Sequence, residues 1–236
     1  MIYYLRLKQQ FDARALYQEV QQMADNWWKE HYQKKHYEGN WSIIPLRSLN
    51  GDPDNIYSIH STGNAAPVYK DTPFLQQCPG LSAVLDFFQC EKTAVRLMKL
   101  EAGAVIKEHT DQEMSFEEGE ARFHIPLQTN AQVDFYLLDE RIPMQEGECW
   151  YLNLSLPHRV TNGGTSDRIH LVIDCLVNDW VKELFAEGAD CIREIDKAAT
   201  TRPASAEEQK LIIAELRRMN TAAANELANK METGQI

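Results

Sequence analysis

Apolar positions recur at helical spacing near the two ends of this chain, whereas in its middle they alternate. After Asp12, a residue type that caps helices, Leu16, Val20, Met23 and Trp27 return every three or four positions and predict a first helix. A second, short helix is predicted over residues 81–88, with a turn at 50–53 and a loop at 62–67. From about residue 93 to 177 the pattern changes to short strand-like runs at 94–100, 121–127, 133–138, 149–154 and 168–177. Turn signals separate them, notably Glu101-Ala102-Gly103, Gln145-Glu146-Gly147 and Asn162-Gly163-Gly164. Many short strands with frequent turns predict an antiparallel sandwich or barrel, so the fold class is mainly β with flanking α.

Beyond Asn178 the pattern is helical again. Residues 200–204 read as a linker, and Ser205 with Glu208 forms a capping box ahead of Leu211, Ile212, Leu216 and Met219. Fraying is expected after about Glu226. The expected division is therefore a domain over residues 1–179, with its β-core at about 93–179, and a helical extension over 180–236 that packs outside the core and offers a homodimer contact.

Two strands carry an unexpected polar face. In Arg168-Ile169-His170-Leu171-Val172-Ile173-Asp174, alternation puts Arg168 and His170 on one side and the aliphatic residues on the other. Arg122-Phe123-His124-Ile125 repeats the arrangement. A cation inside an apolar strand is costly unless it is paired, and a guanidinium matches a carboxylate with two parallel hydrogen bonds. Arg168 therefore expects either a structural partner, such as Asp111 or Glu148, or the carboxylate of a bound small molecule.

His109-Thr110-Asp111 follows a further strand-like run that begins at Val105. Residues i and i+2 of an extended segment face the same way, so one imidazole and one carboxylate converge. By itself this pair is equally a salt bridge in a turn. His158, forty-nine residues further on in Leu156-Pro157-His158, offers a third ligand. Two histidines and one carboxylate form the facial set that leaves positions open on a non-haem iron. His31, His36 and His60 stand without a carboxylate or cysteine at ligand spacing and read as structural or surface residues. Arg47 is a candidate clamp for a substrate carboxylate and equally a surface arginine. Trp41 and Trp150 are candidate pocket walls, although large aromatics more often belong to a core.

Charge and cysteine usage then narrow the partners. The 236 residues carry a net charge of -11, which opposes binding to phosphate backbones and makes nucleic acid an unexpected partner. The cations around residues 28–35 are flanked by acids and read as a solvated helix face. Five cysteines without a C-x-x-C spacing give neither a disulfide framework nor a zinc site, which suits a reducing cytoplasm. Residues 1–7 lack the long apolar stretch of a secretory signal, and no run approaches membrane-spanning length.

Taken in order, Val95-Arg96-Leu97-Met98-Lys99-Leu100, His109-Thr110-Asp111, Arg122-Phe123-His124-Ile125-Pro126-Leu127, Gly147-Glu148-Cys149-Trp150-Tyr151-Leu152-Asn153, Leu156-Pro157-His158 and Asp167-Arg168-Ile169-His170-Leu171-Val172-Ile173-Asp174 resemble the aspartyl/asparaginyl β-hydroxylase family of 2-oxoglutarate oxygenases. Trp41-Ser42-Ile43-Ile44-Pro45-Leu46-Arg47 is similar, more weakly, to the upstream segment of its bacterial free-proline hydroxylases. The resemblance implies a double-stranded β-helix, a jelly-roll related to the cupins. It implies Fe(II) on His109, Asp111 and His158, with 2-oxoglutarate as co-substrate and O2 as oxidant. It implies Arg168 on the distal carboxylate of 2-oxoglutarate, and Arg122 and His124 near a co-substrate or substrate carboxylate. Arg47, Trp150 and His170 remain substrate candidates. The activity implied is hydroxylation of an amino acid, a peptidyl side chain or a related small metabolite, with release of succinate and CO2. Two alternatives stay open at this point: a cupin-like metalloenzyme that does not use 2-oxoglutarate, and a non-catalytic metal-binding or sensing module.

Overall fold

The computed structural model describes residues 1–57, 67–111, 114–187, 192–194, 206–219 and 222–233. The described residues form two units, Met1–Glu194 and Ile195–Ile236. The first holds nine principal strands: β1 (Ile2–Gln10), β2 (Trp41–Leu49), β3 (Lys92–Leu100), β4 (Val105–His109), β5 (Glu120–Gln128), β6 (Val133–Leu137), β7 (Glu148–Leu152), β8 (His158–Asn162) and β9 (Arg168–Leu176). The larger sheet runs β1-β7-β5-β9-β3-β2, extended at its ends by the short strands Ile192–Glu194 and Lys29–Glu30, with Tyr69–Asp71 paired to β2. The smaller sheet runs β6-β8-β4, with Glu140–Arg141 and Tyr37–Glu38 at its edges. The principal pairings are antiparallel, and the two sheets make a double-stranded β-helix, a jelly-roll.

Each strand of the larger sheet splits its residues between two environments. On β9, Ile169, Leu171, Ile173 and Cys175 point to one face, together with Val95 and Leu97 of β3 and Phe123 and Ile125 of β5. That face is covered by α1 (Ala13–Gln21), α2 (Pro79–Phe87) and α3 (Asp179–Ala186), which contribute Leu16, Val20, Leu81, Leu85, Val181 and Phe185. Burying one such side chain contributes about 1.5–3 kcal/mol, so this layer is a large apolar contribution to the fold. The helices also cap one another. Asp12 accepts from Ala15 N at 3.0 Å to start α1, and Glu19 of α1 accepts from Gly80 N and Leu81 N at 2.7 and 3.0 Å to start α2. The opposite face of β9 carries Arg168, His170 and Asp174 and looks toward the smaller sheet, where Ile106, Phe135 and Val160 are buried. Polar chemistry is thus confined to the interior between the two sheets.

Gly147 fixes the approach to β7. Its φ is +80°, and an added Cβ would lie 2.4 Å from the Phe11 carbonyl, so only glycine fits where Phe11 N donates to Gly147 O.

The structure departs from the sequence reading in the first hundred residues. Residues 1–10 alternate Tyr3, Leu5 and Leu7 inward and form a full strand, and Trp41–Leu49 forms another, so the larger sheet takes two of its strands from the N-terminal zone. The segment 28–35, which reads as a solvated helix face, is instead the strand Lys29–Glu30 followed by a 3-10 turn, Lys34–His36. Pairing of Lys29 with Ile43 and of Glu30 with Ser42 holds this stretch extended and overrides its local helical spacing. Trp27 accordingly lies outside α1. In the second unit, α4 (Ala206–Met219) and α5 (Ala222–Glu232) are joined by Arg217, which donates to Asn229 and Glu232. The loop expected at 62–67 falls almost entirely outside the described residues, as do the linker at 200–204, Ser205 and His60.

Candidate metal centre

The end of β4 and the start of β8 lie side by side, with His109 directly opposite His158 in the ladder. Their rings are 4.3 Å apart at 52°. Asp111 follows β4 in a turn held by its own N–H to Leu154 O at 2.8 Å. One ligand atom from each of the three side chains falls within 4.8 Å of the others. The Nδ1 atoms of His109 and His158 lie 2.7 and 3.0 Å from the carbonyls of Lys107 and Leu156. A carbonyl only accepts, so each Nδ1 carries the proton and each Nε2 keeps its lone pair for the cavity. Burial, only partly offset by Asp111, pulls His158 down to about 4, which leaves it neutral and able to donate that lone pair. Two imidazoles and a carboxylate on one side suit a first-row divalent metal such as iron(II).

Asp111 is held by a buried chain of charges. Arg122, on β5, donates through Nη1 to Asp111 Oδ2 and through Nε and Nη2 to Asp174 at 2.5 and 2.9 Å. Asp174, on β9 directly across from Arg122, also accepts from Arg96 Nη2 at 2.5 Å. Burial works to raise the Asp111 pKa, but Arg122, His158 and His109 outweigh it and hold the carboxyl below its ordinary value. Burial disfavours the charged Arg122 as well, and its two carboxylate partners more than restore it.

Arg168 stands apart from this network. It begins β9 and is 3% exposed, and its Nη2 lies 3.0 Å from His170 Nδ1. Its Nε has no partner, and none of the ion pairs among the described residues supplies it with a carboxylate. Burial draws its pKa down to about 9, the mark of a cation lacking its counter-charge. Both ring nitrogens of the nearby His124 are also buried without partners. Burial, followed by the charges of Arg168 and Arg122, pushes His124 well below its ordinary value and keeps it neutral.

One cavity gathers His109, Asp111, His158, Arg122, His124 and Arg168. His170 does not line it and sits behind Arg168 in a second cavity. Trp41 joins the first cavity. The structure brings neither Arg47 nor Trp150 to either one. Arg47 is spent on Lys92 O, Asp71 and Tyr69 O, tying β2 to its short neighbour. Trp150 stands opposite His124, one strand away, and its indole N–H donates to Glu148 at 2.9 Å beneath Arg6. Conversely, His31, whose sequence context reads as structural or surface, lines the metal cavity. Its ring is stacked 3.5 Å from Trp41 and 4.7 Å from Tyr32. Its Nδ1 accepts from Gln33 N, so the proton sits on Nε2, and burial pulls the pKa to about 3. Arg96 also lines the cavity. As a cation in an apolar strand, it carried the same signal that singled out Arg168, whereas nothing local to His31 marked it.

The fold and the cluster define a class: jelly-roll proteins whose interior gathers two imidazoles and a carboxylate beside an unpaired arginine. Within that class, the sequence profile of the aspartyl/asparaginyl β-hydroxylases matches residues 10–177, and the chain belongs to that family. It is 28% identical over 167 residues to the L-proline cis-4-hydroxylase of Rhizobium meliloti (strain 1021), an alignment covering 70% of this chain and 55% of that protein. The chain thus spans about half the length of this curated relative. Among solved structures, a Pseudomonas putida prolyl-4-hydroxylase superposes with a TM-score of 0.49 at 14% identity, over 75% of this chain and 94% of that one. A 2OG-Fe(II) oxygenase family oxidoreductase of Burkholderia pseudomallei gives 0.44 at 11% identity, over 67% and 76%. The family assignment rests on the profile match.

Proposed function

We propose that this chain is an Fe(II)- and 2-oxoglutarate-dependent hydroxylase of an amino acid or a closely related small molecule. The observation that carries the reading is the buried Arg168, without a carboxylate of its own, in the same cavity as His109, Asp111 and His158. A metalloenzyme that does not use 2-oxoglutarate would have no use for that cation, which argues against the first alternative. The complete ligand set argues against a merely sensing module.

In this reading, His109, Asp111 and His158 hold the metal through Nε2, one carboxylate oxygen and Nε2. Arg122 holds the other oxygen of Asp111, which favours a single carboxylate ligand and leaves positions open. Arg168 receives the distal carboxylate of 2-oxoglutarate, with His170 behind it and neutral His124 alongside. When bound, iron with 2-oxoglutarate and O2 supplies the oxidising power to hydroxylate an unactivated carbon, with succinate and CO2 as co-products. The protein's own task is to orient the reactants and keep the site dry. Arg96 and the Nε2–H edge of His31 face the cavity and suit a substrate carboxylate, consistent with a family relative named for a free amino acid. None of the described helices is long and apolar enough to cross a membrane. The four described cysteines are free and buried, and we place the protein in a reducing cytoplasm. A homodimer through α4 and α5 belongs to the same reading, and light scattering on the full chain tests it.

The main test is substrate-stimulated succinate release from protein supplied with iron(II), ascorbate and 2-oxoglutarate against a pool of free amino acids. A product heavier by one oxygen atom is expected by mass spectrometry. Asp111→Ala and His158→Ala should abolish both signals and also lose the visible absorbance of a cobalt(II)-substituted site. Calorimetry showing metal binding but no 2-oxoglutarate binding would sink the reading.

A further inference from the structure

Two cavities of very different size meet at Arg168 and Phe135 among the described residues. The metal-side cavity holds about 60 Å³, and the second holds about 580 Å³. One water needs roughly 10–15 Å³ of such space, so the metal side is a small chamber that takes the reacting ends of its ligands. The second falls within the range of about 300–1,000 Å³ typical of ligand sites. It lies between the β5–β6 connection, at Thr129, Asn130 and Ala131, and the stretch 141–146 ahead of β7. Arg168 and Phe135 line both cavities and so form the partition between them.

That partition is chemically specific. Arg168 reaches the larger cavity together with His170, and His170 Nδ1 accepts from the guanidinium. The proton of neutral His170 therefore sits on Nε2, giving a second donor beside the cation. An anion arriving from this side meets a buried guanidinium and a buried imidazole N–H, and finds no competing carboxylate on Arg168. Phe135 lies next to the metal cluster: its ring is 6.2 Å from that of His158 and parallel to it within 5°. The terminus of a ligand that passes Phe135 arrives at His158.

The walls of the larger cavity are tied back. Asn130 donates to Asn162 Oδ1 and Ser166 O at 3.1 Å each, Thr129 N donates to Glu146 at 2.9 Å, and Gln145 N donates to Glu148 at 2.8 Å. Arg141 is held by Asp134, so the cation at the rim is neutralised. The opening is thus built into the fold rather than dependent on a lid.

We propose that the dicarboxylate co-substrate enters, and succinate leaves, through this larger cavity, while the substrate uses the metal-side opening near His31 and Gln33. The proposal rests on the hydroxylase reading above. Separate mouths let the co-substrate exchange while the substrate side is occupied, without either molecule having to pass the other.

A passage and a binding site respond differently to a plug. Bulk placed in a passage raises the barrier in both directions, whereas bulk in a site changes the equilibrium. The test uses iron-loaded protein without oxygen and follows 2-oxoglutarate association and dissociation by rapid-mixing visible absorbance, with Kd from calorimetry. Ala131→Trp, at an exposed turn on the rim, and Gln145→Trp, at its exposed opposite edge, are each expected to lower both rate constants about ten-fold and leave Kd unchanged. Ala131→Ser should keep wild-type rates. Gln33→Trp, on the metal side, should leave the co-substrate rates as they are. Wild-type rates in both rim variants, or slowing by Gln33→Trp alone, would overturn the proposal. So would a weaker Kd with only the dissociation rate raised, since that marks a site rather than a route. If wild-type protein binds no 2-oxoglutarate at all, the hydroxylase reading itself fails and the route fails with it.

Discussion

Arg168→Met is expected to lose most of its affinity for 2-oxoglutarate while raising the melting temperature of the free protein. Truncating one partner of a buried, hydrogen-bonded charge pair costs about 2–5 kcal/mol of binding, which is roughly thirty- to several-thousand-fold in Kd. The opposite sign for stability comes from the unliganded state. There the guanidinium is buried, its Nε is unpartnered, and among the described residues its Nη2 bonds to a neutral imidazole, His170, and to no carboxylate. Replacing even a paired set of buried charges with apolar side chains of similar volume is often neutral or stabilising by about 1–4 kcal/mol, and here the charge removed has no carboxylate to lose. The two effects together separate a ligand-binding arginine from a structural one. Calorimetry with 2-oxoglutarate and a thermal melt on the same sample measure both. A variant that melts lower and still binds 2-oxoglutarate would assign Arg168 to the fold instead.

Asp174→Asn should be the most destabilising single change at the site. Asp174 is 2% exposed and faces two fully buried guanidiniums, those of Arg96 and Arg122. Neutralising it leaves two cations with Asp111 as their one remaining carboxylate among the described residues, and losing one partner of a buried pair costs about 3–5 kcal/mol. That is a large share of the 5–15 kcal/mol typical of a domain, so denaturant midpoints should fall sharply. The loss should be partly recovered in Asp174→Asn/Arg96→Met, which removes one of the stranded cations. A double-mutant cycle with no coupling between the two positions would refute this account of the network.

The parts of this site that were legible in the sequence are those whose chemistry conflicts with their local pattern. The i, i+2 spacing of His109 and Asp111 sits at the end of a strand, and such a spacing fixes a shared face whatever the rest of the fold does. Arg168 and Arg122 broke apolar strands, and the structure puts both inside the barrel, facing the cluster. Arg96 and Asp174 broke apolar strands in the same way. Their significance depended on strand order, because Asp174 meets Arg122 and Arg96 only when β9 lies between β5 and β3. Arg47 shows the converse. Its three partners come from separate strands at Tyr69–Asp71 and Lys92, and no local pattern could have shown that they would absorb it. His31 was illegible because its place depends on the edge pairing of Lys29–Glu30 with β2, a contact made in three dimensions by residues whose charges suggest a solvated helix face.

The same edge pairing has an evolutionary consequence. Arg168 and Asp174 stand on β9, which is bonded on both sides to β5 and β3 and is therefore among the last segments of the molecule to open. His31, Tyr32 and Gln33 instead sit on a short turn leading from the two-residue strand Lys29–Glu30, where replacement disturbs few backbone bonds. In the proposed reading, the groups that hold Asp111 and the co-substrate are anchored in a central strand, and those that meet the substrate hang from an edge. On that reading a lineage can retune selectivity at this turn, residue by residue, without reopening the problem of how the barrel folds.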